Sequence, residues 1–147
     1  MDFEFDFRLH ADPSRLVGTQ YFELALGAYK GAHRLPGSRF INEYTFSLIE
    51  GIFEEHVPKY DHFGCVEVPR SQWKLILGDL ATLCMALAQA RETARVALPY
   101  GGTLRVRSSF DHNLAANQRQ LASLLFALEQ WLSETLTLNE VVSVLGL

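Results

Sequence analysis

Basic charge is scarce in this chain: Lys and Arg number 13 against 17 Asp and Glu, for a net charge of −4 and a pI near 5.7. So acidic a protein has no general attraction for phosphate backbones, and nucleic acid is not an expected partner. Cysteine is scarcer. Cys65 and Cys84 build no disulfide or metal framework, and 147 residues are enough to bury a core without one. Long apolar runs are missing as well. The best candidate, Leu75–Ala90, is interrupted by Gly78, Asp79 and Thr82 and falls short of the roughly 20 residues that span a membrane. The opening stretch, MDFEFDFRLHADPS, puts acids where a secretory signal needs basic charge. The expectation is a cytoplasmic protein with reduced thiols and no membrane partner. Phosphate-binding glycine loops, H-E-x-x-H, paired C-x-x-C, EF-hand and G-x-S-x-G patterns are also absent. Nothing therefore assigns a catalytic, cofactor-binding or metal-binding residue.

What is present is ordinary globular composition, 48% hydrophobic and 20% charged, consistent with one domain over residues 1–147. Phe3, Phe5, Phe7 and Leu9 alternate with Glu4, Asp6 and Arg8, the period of a half-buried strand. Asp12-Pro13 reads as the start of a helix to about Ala32, weakened by Gly18, Gly27 and Gly31, and Leu35–Ser38 as a turn. Asn42 can cap a helix over Glu43–Val57 that Pro58 ends, followed by an ordered loop over Lys59–Val68. Pro69 opens a third helix to about Arg95 with Trp73, Ile76, Leu80, Leu83 and Leu87 on its apolar face. Val96–Leu98 and Leu104–Val106 flank a Gly101-Gly102 step and suggest a hairpin. Ser109 or Asp111 can cap a fourth helix to about Leu136. Thr137 and Glu140 have capping-box spacing for a short last helix ending near Gly146. The expected fold class is α+β and predominantly α-helical. Four to five helices pack with a small antiparallel sheet made of the N-terminal strand and the hairpin near 96–106.

Charge is distributed unevenly. Residues 1–67 hold 11 acids and 6 bases, whereas residues 68–147 hold 6 acids and 7 bases. Much of the excess lies on one ridge of the second helix, where Glu43, Ser47, Glu50 and Glu54 fall within roughly 60° of one another. Glutamates one turn apart repel slightly, so stability does not call for them. Glu55 and Asp61 lie just beyond, beside Tyr60 and Phe63. Alone, the ridge reads as a solvated helix face. With the aromatics it has the makeup of a face that docks onto a basic protein, charge steering the encounter and aromatic area anchoring it.

Other groupings carry less. Glu54, Glu55, His56, Asp61, His62 and Cys65 are ligand types, and His62-x-x-Cys65 is half a zinc pattern without its second half. Ser108, Ser109, Asp111 and His112 have the letters of a hydrolase triad, but triad members converge from separate elements, so helix capping is the better reading. Arg91, Arg95, Arg105 and Arg107 form a local basic patch or pair with the acids.

The segment EYTFSLIEGIFEEHVPKYDHFG, residues 43–64, in a small acidic domain resembles bacterial immunity proteins of polymorphic and contact-dependent growth inhibition toxin systems. The resemblance is one of general character and covers that segment and the overall size. It implies a cognate protein toxin with a basic surface, often a nuclease, neutralised by occlusion of its active or substrate-binding face. It implies neither enzyme activity nor a cofactor. Glu43, Glu50, Glu54, Glu55 and Asp61 would meet basic side chains, with Tyr60 and Phe63 as anchors. The alternative is a small enzyme or a ligand- or metal-binding domain using the His56–Cys65 loop or the Arg91–Arg107 region. A deep pocket lined by those residues would be its sign.

Overall fold

The computed structural model describes residues 3–91, 94–101 and 104–147. Gly18 and Gly27 take φ values of 83° and 74°, the left-handed region that interrupts a right-handed helix. The helix expected over 13–32 is therefore replaced. A short 3-10 turn, Pro13–Arg15, forms under the Asp12 carboxylate, which accepts from the Ser14 amide. Between the two glycines the chain becomes strand β1, Tyr21–Leu26.

Three further strands complete an antiparallel sheet in the order β2-β1-β4-β3: β2 is Arg39–Asn42, β3 is Cys65–Pro69 and β4 is Val141–Leu145. The last short helix is thus corrected to a central strand. Val141, Val142 and Val144 suit a pleated surface, and pairing on both sides (Leu24 with Val144, Val68 with Val142) outweighs the capping-box spacing. The class is α+β and mainly helical, as composition and periodicity indicated. The strands are different ones.

The N-terminal strand is also corrected. Phe3, Phe5, Phe7 and Leu9 pack half-buried against the core while Glu4 and Arg8 face solvent. Its backbone bonds go elsewhere: the Phe3 amide donates to Ser109 Oγ, and the Asp6 carbonyl accepts from Thr45 Oγ1. Only His10 joins the sheet, by a bridge to Phe40. Period-two alternation reports an extended chain with one buried face, whether or not a ladder forms on it.

The helices are α1 Glu43–Ser47, α2 Glu50–His56, α3 Arg70–Gln89, α4 Leu104–Asp111 and α5 Leu114–Leu138. Leu104–Val106 begin α4 and Val96–Leu98 are irregular, so no hairpin forms there; Gly102 and Thr103 of its expected turn lie outside the described residues. Ser109 lies within α4, and Asn113 rather than Asp111 stands at the start of α5. Trp73, Ile76, Leu80 and Leu83 of α3 join Leu121, Leu125, Leu128 and Leu132 of α5 in one core with Phe22, Leu24, Ile41 and Val144 of the sheet. The Trp73 indole spends its one donor on the Val142 carbonyl at 3.1 Å, tying α3 to β4. On the sheet's other face Glu23, only 3% exposed, accepts from the Arg34 and Leu35 amides and the Ser38 hydroxyl at 2.6–2.9 Å. No helix among the described residues is long and apolar enough to cross a membrane.

Candidate functional site

Asn42 caps α1 as its residue type suggests, its side-chain oxygen accepting from the Tyr44 and Thr45 amides. The expected single helix over 43–57 is instead split between α1 and α2. An unbroken helix would join the Ser47 carbonyl to the Gly51 amide. Here the carbonyl accepts from Gly101 and the amide donates to Pro99, both at 2.8 Å. The inserted Pro99–Gly101 segment replaces one helical bond by two, and tighter i→i−3 bonds at Leu48 and Ile49 bridge the gap. Glycine is needed at the contact, since a Cβ on Gly51 would stand 2.7 Å from the Pro99 carbonyl oxygen.

The loop after α2 is tied from two sides. Asp61 accepts from the Phe63 amide, and past β4 the Gly146 and Leu147 amides donate to the Gly64 and His62 carbonyls. His62 is thereby carried over α1 and α2. Its Nδ1 meets Glu50 Oε2 at 2.6 Å and its Nε2 meets Glu43 Oε1 at 3.0 Å. Ionised carboxylates only accept, so the ring serves both by donating from both nitrogens, as imidazolium. Burial works against that charge, but the hydrogen bonds to Glu43 and Glu50 prevail and raise the His62 pKa. The Tyr60 hydroxyl donates to the same Glu50 oxygen. Its own pKa is pushed up, first by burial and then by this bond and the charge of Glu50, so it stays a donor.

These groups border a cleft of about 840 Å³ whose walls include Phe3, Tyr44, Tyr60 and Phe63. Four carboxylates line it, Glu43, Glu50, Glu54 and Asp61, with His62 as the one cationic side chain and no lysine or arginine among the described lining residues. Glu50 is 1% exposed, and its Oε1 has no hydrogen-bond partner among the described residues. A buried acceptor left bare costs about 1–3 kcal/mol, more when charged; Arg70 Nε and Glu129 Oε1 are in the same state, but of the three only Glu50 lines this cleft. Gly101 packs against it: a Cβ there would lie 2.7 Å from Oε1.

Six of the seven residues that sequence reasoning put on a docking face, Glu43, Glu50, Glu54, Tyr60, Asp61 and Phe63, meet in this cleft. They do not form an open face. Glu50 is buried and Glu43 half-buried, whereas Glu54 and Asp61 are exposed and Phe63 is 72% exposed at the margin. Glu55 points elsewhere, towards His56 and Asp79, where the ligand atoms of the three lie within 4.8 Å of one another and His56 Nε2 already pairs with Asp79 at 2.6 Å. His56, His62 and Cys65 therefore occupy separate settings. Arg95 pairs with Asp111, Arg107 lies over the ring of Tyr100, where the charges of Arg95 and Asp111 also act, and Arg105 lies over the ring of Phe3. His62 was visible as a ligand type next to the acids; its part in the network was not. Phe3, Gly101 and Val106 were legible only as strand and hairpin positions, and nothing local marked them as walls of this cleft.

Comparison of the chain with protein-family models, curated proteins and solved structures gave no match.

Proposed function

We propose that this chain is an inhibitor of the immunity-protein kind, which binds a cognate protein toxin with a basic surface and covers its active or substrate-binding face. The observation that carries the reading is the exposed acidic and aromatic margin of the cleft, Glu54, Asp61 and Phe63. Negative charge steers a basic partner, and the exposed Phe63 offers area for an anchor beside it. Glu54 and Asp61 stand at the exposed margin, where charge acts on association without being needed for folding. The test is co-expression with the toxin domain encoded in the neighbouring reading frame. Protection is expected, with association weakened and its salt dependence flattened by the Glu54→Lys/Asp61→Lys pair. An unprotected host, or a neighbouring frame encoding metabolic enzymes, counts against the role. Unchanged affinity in the charge-reversed pair counts against this interface.

A second reading, a small enzyme or ligand-binding domain, draws on the same cleft. The cleft joins Tyr60, Asp61 and His62 of the His56–Cys65 loop to Gly101 and Val106 of the Arg91–Arg107 region. A thermal-shift screen against cationic metabolites separates the two, since stabilisation by a free small molecule at micromolar concentration favours the second.

A further inference from the structure

We infer that the cleft is a receptor for one arginine side chain of the protein partner, whose guanidinium reaches Glu50 past Gly101 while its stem lies along the aromatic lining. This rests on the partner-binding reading above and names the group that is bound.

The need for a donor comes first. Glu50 Oε2 accepts from Tyr60 and from His62, but Oε1 receives nothing from the described residues, although the residue is 1% exposed and lines the cleft. The shortfall is therefore of N–H or O–H groups, at an acid. The charge balance has the same sign: four lining carboxylates face one imidazolium and, over the Phe3 wall, the Arg105 guanidinium. The walls narrow the choice of cation. Phe3 and Tyr44 lie with centroids 4.2 Å apart, Phe63 leans on His62 at 4.8 Å, and a guanidinium of the chain itself, Arg105, already lies over Phe3 at 5.3 Å. A guanidinium is planar and weakly hydrated, stacks on such rings and can serve two carboxylate oxygens at once; an ammonium is compact and strongly hydrated. Because Oε1 is buried and Gly101 packs beside it, the arriving group has to shift its surroundings. The Gly101 amide, now bonded to the Ser47 carbonyl, is the natural reporter.

The experiment titrates the 15N-labelled full chain with Nα-acetyl-arginine methylamide, and separately with the matched citrulline and lysine derivatives and with spermidine. Saturable shifts at Gly101 and His62 with a Kd of about 1 mM are expected for the arginine compound, none for citrulline and weaker binding for lysine. Glu50→Gln should weaken binding at least about tenfold. Should that variant not fold, Glu43→Gln and Phe63→Ala, the latter at an exposed position, are expected to weaken it about threefold or more. Equal shifts with citrulline, no saturation by tens of millimolar, or affinity unchanged in these variants overturns the inference. Tighter binding of spermidine than of the arginine compound overturns it in favour of a free polyamine. Protection in co-expression without arginine binding removes this subsite and leaves the proposed function standing. Arginine binding without protection does the reverse.

Discussion

Tyr60→Phe removes one oxygen and nothing else, which makes it a clean probe of the buried carboxylate. In the folded protein the hydroxyl donates to Glu50 Oε2, and Oε1 of the same group is already without a donor among the described residues. After the substitution, His62 is the only donor left among the described residues to a side chain that is 1% exposed. A hydrogen bond to a charged group contributes about 1.5–3 kcal/mol net, and the ring itself keeps its packing on Phe53, 6.0 Å between centroids. For a chain of this length each kcal/mol moves the melting temperature by roughly 2–4 °C, so a fall of about 3–12 °C is expected. The urea midpoint should drop by about 1 M, taking an m-value of about 1–3 kcal/mol/M. Urea unfolding at pH 7, followed by Trp fluorescence and by far-UV circular dichroism, measures it. Repeating the change in a Glu50→Met background completes a double-mutant cycle. There the charge is gone, and Tyr60→Phe should cost at least about 1 kcal/mol less than in the parent. A loss under about 0.5 kcal/mol, or an equal loss in both backgrounds, would refute the assignment of Glu50 as a buried charge held by Tyr60 and His62.

Three other outcomes follow from the same structure. Because the folded His62 pKa is raised above its ordinary 6.5, the stability it contributes is fully present below about pH 6.5 and is lost as pH rises through the folded value. Urea midpoints between pH 6 and 9 should therefore fall, and His62→Gln should flatten that slope; an unchanged slope refutes the bridge. Gly51→Ala drives a Cβ to 2.7 Å from the Pro99 carbonyl oxygen and should cost about 1–3 kcal/mol, while Gly78→Ala, with open space on an exposed face of α3, should gain about 0.5–1 kcal/mol, both read from thermal melts. Glu23→Ala strips the acceptor from two amides and a hydroxyl in the 27–38 loop, so trypsin should cut at Lys30 and Arg34 much faster than in the parent. Equal cleavage rates would show that the loop is held by something else.

The parts of the fold that were legible in the sequence are those set by neighbours in the chain. The apolar periodicity of α3 and α5, the Asn42 cap and the one-sided burial of the Phe3–Leu9 stretch all follow from spacing alone, since each depends on a few consecutive residues. The segment rich in acids and aromatics was legible too, and it supplies most of the cleft. Local spacing misleads where a distant segment competes for the same groups. Thr137 and Glu140 have helical capping geometry, yet β4 gains two strand partners, β1 and β3, from far earlier in the chain. The Glu43–Glu54 ridge has the spacing of an open surface, yet Pro99–Gly101 enters between α1 and α2 and the 60–63 loop folds across them. Composition and spacing alone settled that this is a mainly helical α+β chain with its negative charge concentrated towards one segment. Only tertiary contact decided that the charge forms a cleft and not a face, because the burial of Glu50 and the bridging of two glutamates by His62 are made by residues that never meet along the sequence.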